Sequence, residues 1–174
     1  MNEKSKVIGG FAGKFLPPHI GHISQIEQSA KECDKLYIVV ADRKSNSRRL
    51  CKAANIPYIP VRLRIKWLKK HFKHNPKIKV VYLNEDKIPP APHGTAKWAK
   101  EFKKLTHFKI NKKFADESYR HMNEVYFKEC EFACFDRTVI NISATQIRTD
   151  LKNNIDKIIP EARDYFIKII NKQH

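Results

Sequence analysis

The sequence predicts an α/β protein, an open parallel sheet with helices on both faces. Two observations carry that prediction. Short apolar runs alternate with stretches of helical periodicity along the chain, the pattern of successive strand, helix, strand units. The clearest run, residues 35–41 (KLYIVVA), is apolar at nearly every position and rich in β-branched residues, as a central strand covered on both sides must be.

Each element then follows in order. Residues 7–12 (VIGGFA) read as a first short buried strand, and Pro17-Pro18 followed by Ile20, Ile23, Ile26 and Ala30 reads as the start of a helix. After the central strand, residues 42–60 are polar and basic around Ser45-Asn46-Ser47-Arg48-Arg49 and read as a long loop. Residues 61–74 form an amphipathic helix with Leu63, Trp67, Leu68 and Phe72 at helical spacing, and residues 77–83 a third strand. A second clear helix spans 94–105, with Trp98, Phe102 and Leu105 on one stripe. Residues 114–116 read as a short strand, 119–127 as a helix and 131–135 as the last strand. A short helix from Ser143 and a longer one over 160–171 close the chain. Right-handed crossovers place the carboxyl ends of parallel strands along one edge, where ligands of such sheets bind. The loop after the first strand lies on that edge.

At 174 residues and 41% hydrophobic content, the chain suffices for one core and one domain over 1–174. No apolar run approaches the roughly 20 residues of a membrane span, and residues 1–6 leave no room for a signal peptide, so a cytoplasmic protein without membrane contact is expected. Cys33, Cys51, Cys130 and Cys134 include one close pair, C-x3-C, with no second pair at matching spacing; reduced thiols and no protein-held metal are expected. The balance of 35 basic to 18 acidic residues, a net charge of +17, calls for polyanionic company. The positive charge is spread over many segments with no helix-turn-helix, RNP or zinc-finger pattern, so nucleotides steered into a cleft are expected ahead of nucleic acid.

The chemistry concentrates in residues 13–22, which join the first strand to the first helix. Gly13 lets backbone amides face an anion, Gly21 lets a phosphate approach, and the helix N-terminus offers unpaired N–H groups at a positive dipole end. His19 and His22, three apart, share one face and can donate to, or when protonated neutralise, a phosphate under attack. A Walker loop is excluded, since it needs glycine at Ile8 and a hydroxyl at Phe15. Far downstream, Ser143 with Gln146 three residues on forms a capping box. Ser143 and Thr145 add hydroxyl donors, and Arg148, one turn along, adds a forked guanidinium suited to phosphate oxygens.

The pattern G-x-F-x-P-x-H-x-G-H over 13–22 resembles the HxGH signature of the nucleotidyltransferase superfamily, and I-S-x-T-x-x-R over 142–148 resembles the signature that accompanies it in adenylyltransferases. Further stretches (11–15, 85–89, Trp98, 114–117, 136–138, and 159–163 with Tyr165-Phe166) are similar to the adenylyltransferase domain of NadR-type bifunctional enzymes. The resemblance covers roughly residues 7–170 and is loosest over 107–130. It implies a Rossmann-like nucleotidyltransferase fold. It also implies a reaction in which ATP and nicotinamide mononucleotide (NMN), with Mg²⁺, give NAD and pyrophosphate by direct in-line attack. His19, His22, Lys14 and Arg148 would then be catalytic. ATP would be held by Phe11, Gly13, Lys14, His19, Gly21, His22, Arg137, Ile142, Ser143, Thr145 and Arg148. NMN would be held by Phe11, Ala12, Asp136 and Trp98, whose indole face attracts a cationic pyridinium. Kinase and repressor functions of the bifunctional enzymes are not implied, and relatives leave room for a homo-oligomer. Competing readings are a related enzyme acting on nicotinate mononucleotide or another phosphate acceptor, and a non-catalytic nucleotide- or nucleic-acid-binding protein.

Overall fold

The computed structural model describes residues 5–135 and 139–172. Among these, β1 (Ile8–Gly13), β2 (Lys35–Asp42), β3 (Ile78–Asn84), β4 (Lys112–Ala115) and β5 (Glu131–Cys134) form one parallel sheet in the order β3-β2-β1-β4-β5. The helices are α1 (Ile20–Lys31), α2 (Lys44–Ala53), α3 (Val61–His71), α4 (Thr95–Leu105), α5 (Arg120–Tyr126), α6 (Ala144–Thr149), α7 (Leu151–Asn154) and α8 (Pro160–Lys172).

The chain runs outward from β1 through β2 to β3, then returns to β1 and continues through β4 to β5. Strand order therefore reverses beside β1, and the loop leaving β1 opens into the crevice such a reversal creates. The strand periodicity of two divides the β2 side chains between layers. Leu36, Ile38 and Val40 pack with Ile26 and Ala30 of α1 and Leu68 of α3. Tyr37, Val39 and Ala41 pack on the opposite face with Ala99 and Phe102 of α4 and with Phe127. A third cluster joins α2, α3, α6, α7 and α8 through Cys51, Trp67, Ile147, Leu151 and Phe166, with Leu16 from the loop after β1. The layers are those predicted.

Residues 42–60 differ from the expected loop, because α2 occupies 44–53. Its polarity concealed it. The inward face is narrow, with Ser47 and Cys51 buried and Leu50 and Ala54 packed beside Cys51. His71 is half-buried. At the end of α3 its Nδ1 lies 2.9 Å from Glu161 Oε2 on α8, and that contact holds the Glu161 carboxyl down against the burial that would raise it. All four cysteines are free thiols, with Cys33 and Cys51 buried. No helix of the described residues is long and apolar enough to cross a membrane.

Lys113, on β4, is 2% exposed. Its ammonium lies 4.9 Å over the Phe102 ring and 5.6 Å over the Phe127 ring, and burial pushes its pKa down to about 8. Two ring faces compensate only part of the desolvation of a buried cation. Lys113→Met is therefore expected to stabilise the protein at pH 7 by about 1–3 kcal/mol, a rise in melting temperature on the order of 5 °C. The sign of the pH dependence follows. Between pH 8 and 10.5 the unfolded chain holds a proton on Lys113 that the folded chain has released, so wild-type stability gains with pH there and the gap to the variant narrows. Thermal melts of both proteins across that range check it.

Candidate active site

The loop leaving β1 makes its turn on an aromatic residue. Phe15 sits at φ 50° and is 1% exposed. Its ring lies 6.1 Å from that of Phe11 and meets the His22 ring edge-on at 4.8 Å. A left-handed conformation at a bulky residue persists only where its surroundings hold it. Here the space it fills belongs to Gly13, where an added Cβ would come within 3.0 Å of the Phe15 ring. At Gly21 an added Cβ would meet Ile142 Cγ2 at 3.0 Å and the His19 ring at 3.1 Å. The sequence reading had backbone amides face an anion at Gly13 and a phosphate approach at Gly21; the protein atoms nearest an added Cβ at both positions belong to side chains.

His19 precedes α1 as its N-cap rather than lying on the helical face. Its Nδ1 accepts from the His22 backbone N–H at 3.4 Å, and His22 Nδ1 accepts from the His19 N–H at 3.3 Å, a reciprocal capping box made of two imidazoles. The rings stack with centroids 3.6 Å apart. With Nδ1 accepting in each, a neutral ring carries its proton on Nε2 and donates from there. His19 is 3% exposed, and burial drives its pKa down to about 4, so at pH 7 it is a neutral donor, the first of the two states the sequence allowed. Lys14, between the turn and β1, is exposed.

The second motif folds as its sequence indicated. Ser143 caps α6, its Oγ accepting from the Gln146 N–H at 3.2 Å while Gln146 Oε1 accepts from the Ser143 N–H at 2.8 Å. Arg148 is 6% exposed. One guanidinium nitrogen donates to the Leu16 carbonyl at 2.6 Å and the other to Thr145 Oγ1 at 3.1 Å. Burial lowers its pKa, yet a guanidinium remains charged through the physiological range. Of its five donors, two are committed to the protein. This single side chain joins two motifs 132 residues apart, and the contact of Ile142 with Gly21 closes the same junction.

A sequence model of the cytidylyltransferase-like family matches residues 11–150, a span containing both motifs and all five strands beyond the opening of β1. The chain belongs to that family. Within the nucleotidyltransferase superfamily it is similar to the trifunctional NAD biosynthesis/regulator protein NadR of Escherichia coli, 28% identical over 97% of this chain and 42% of that protein. A probable nicotinate-nucleotide adenylyltransferase of Pseudothermotoga lettingae is 43% identical over 74 residues, 40% of this chain and 32% of that one. The crystal structure of NadR protein in complex with NAD and AMP-PNP superposes with TM-score 0.71 and 27% identity, over 91% of this chain and 46% of that chain. The chain thus spans less than half the length of these relatives.

Other residues expected to serve this cytidylyltransferase-like site are placed as follows. Trp98 is half-buried on α4, its ring centre 5.3 Å from that of Phe102, and its indole N–H donates to Glu85 Oε1 at 2.8 Å in the loop after β3. Phe11 and Ala12 lie on the last residues of β1 on opposite faces, Phe11 against Phe135 at 5.2 Å. Asp136 and Arg137 lie outside the described residues. Among the described residues, a cavity of about 330 Å³ opens beside the carboxyl ends of β2 and β3, lined by Asp42, Arg48, Tyr58, Arg62, Tyr82 and Asp86 and by none of the expected site residues. The sequence reading also missed Arg64 and Asp42, which share a buried ion pair at 2.7 Å. Arg64 was legible: it stands three and four residues before Trp67 and Leu68, on the inward face of its helix.

Proposed function

We propose that the chain is an adenylyltransferase of NAD synthesis, transferring AMP from ATP to nicotinamide mononucleotide with release of pyrophosphate. The observation that carries this reading is the bond from Arg148 to the Leu16 carbonyl, which makes one site of the histidine pair and the α6 donors. A catalyst that joins two anions needs donors from two sides of a triphosphate, and a lone histidine pair supplies only one. The names of the relatives in NAD metabolism support the substrate class.

In this mechanism a phosphate oxygen of the mononucleotide attacks the α-phosphorus of ATP in line. The new P–O bond forms as the bond between the α-phosphorus and its bridging oxygen breaks, and the electron pair leaves with pyrophosphate. A phosphate dianion is already a competent nucleophile, so the protein positions both anions and stabilises spreading charge. His22 and His19 donate from Nε2 to the phosphates, with His22 nearer the reacting centre, and Lys14 neutralises charge at the bond being made. Ser143, Thr145 and the remaining donors of Arg148 hold the β- and γ-phosphates. The net +17 raises the local concentration of both substrates. Among the described residues no three carboxylate, imidazole or thiol groups converge on one point. Mg²⁺ would be held largely by the substrates and water and would offset charge on the leaving group. Trp98 stacks on the pyridinium, its plane fixed by Glu85.

Purified protein with ATP, Mg²⁺ and nicotinamide mononucleotide is expected to form NAD, read through a coupled dehydrogenase. Pyrophosphate release with nicotinate mononucleotide runs in parallel. Release with the nicotinate substrate alone moves the reading to that acceptor, in line with the Pseudothermotoga relative; no release with either overturns it.

A further inference from the structure

Two carbonyls of the loop between β1 and α1 end on buried guanidinium groups that come from different helices. Arg148 of α6 takes Leu16, and Arg64 of α3 takes Lys14 at 2.7 Å. Arg64 is fully buried, and its second nitrogen donates to Asp42 Oδ1 at 2.7 Å. Asp42, 1% exposed at the end of β2, also accepts from the hydroxyl of Ser47 on α2. The chain of contacts thus runs from α2 through the end of β2 and α3 to the peptide beside Lys14.

We propose that Arg64 is a positioning residue for nucleotide transfer, a strut that fixes the Lys14–Phe15 peptide and with it the Lys14 side chain and the Phe15 N–H. This inference rests on the function proposed above. A buried ion pair gives little net stability, and Arg64 Nε is buried with no hydrogen-bond partner among the described residues, a further penalty that an apolar side chain of the same size would avoid. Its return is geometric. A trans peptide points its C=O and the following N–H in opposite directions, so drawing the Lys14 carbonyl onto Arg64 turns the Phe15 N–H away from Arg64. The same peptide enters Phe15 at φ 50°, a conformation that costs on the order of 1–2 kcal/mol at a non-glycine residue and relaxes once released. Release would swing the Lys14 side chain, exposed and expected beside the bond being made, off its mark.

Lysine at position 64 keeps a cation beside Asp42 but cannot reach the Asp42 carboxylate and the Lys14 carbonyl together. Arg64→Lys is therefore expected to lower kcat by about 10²-fold and to raise KM for ATP, with KM for the mononucleotide unchanged, in protein whose circular dichroism remains native. Guanidinium ion at sub-denaturing concentration is expected to restore part of kcat to Arg64→Ala and none to Lys14→Ala. A merely structural Arg64 would lower the melting temperature while kcat and both KM values per folded molecule stayed at wild-type levels; that result overturns the proposal. If neither Arg64 variant folds, Asp42→Asn, which keeps the side-chain shape and weakens its hold on the guanidinium, must show the same split, and unchanged kinetics there overturn the strut equally. Wild-type protein that binds ATP by calorimetry but turns over no mononucleotide defeats the proposed function alone; the strut then stands or falls on whether Arg64→Lys weakens that binding. Wild-type protein that neither binds nor turns over defeats both.

Discussion

His22→Ala is expected to reduce the rate of NAD formation by about 10²–10³-fold, the loss seen when one donor to a developing oxyanion is removed. The fold should survive. His22 is only partly buried, and its Nδ1 accepts a single backbone N–H at 3.3 Å. Its structural contributions are one half of a helix cap, worth about 1 kcal/mol, and its ring contacts with His19 and Phe15. Steady-state kinetics beside thermal melting separate the two effects. His22→Asn sharpens the test, since its side-chain oxygen can take over the cap while presenting different groups to a phosphate. A rate within a few-fold of wild type for His22→Ala would remove the histidine from the transition state.

Arg148→Ala is expected to cost both stability and turnover. The Leu16 carbonyl loses a donor at 2.6 Å in a buried position, a penalty of about 1–3 kcal/mol. Activity should fall further than that penalty accounts for, by about 10³-fold or more, because the junction of the two motifs opens and the charged donors leave the triphosphate together. Arg148→Lys should recover part of the stability and little of the rate: an ammonium cannot span the Leu16 carbonyl and Thr145 Oγ1. Equal rates for Arg148→Lys and wild type would show that a point charge suffices and that the fork has no part in catalysis.

The sequence made some features legible and concealed others for identifiable reasons. Residues 35–41 announced a central strand because each of their faces meets an apolar layer, and β2 has that environment. The capping box at Ser143 was readable because it is a purely local device. Helix α2 was not: its buried face holds a serine bonded to Asp42 and a cysteine, and nothing in a run of serine, asparagine and arginine announces an inward side. Gly13 and Gly21 announced close approaches without naming every neighbour: the Phe15 ring lies against one, Ile142 and the His19 ring against the other. His19 was open to either charge state, and its neutrality depends on burial under distant chain, which spacing cannot report. Arg64 was legible from its place three and four residues before Trp67 and Leu68, and Arg62 and Lys66 beside it made it look like one more solvent-facing cation.

The hydrogen bond from Arg148 to Leu16 also has a temporal side. The loop that receives it belongs to the first strand–helix unit, which can find its neighbours β2 and α1 locally, whereas the donor arrives from 132 residues later in the chain. Contacts of such long sequence separation form late, since loop-closure entropy must be met before they gain anything. Competence would therefore trail compactness during folding. In a refolding experiment, recovery of far-ultraviolet circular dichroism and recovery of turnover report different moments, and the interval between them includes the time α6 needs to dock.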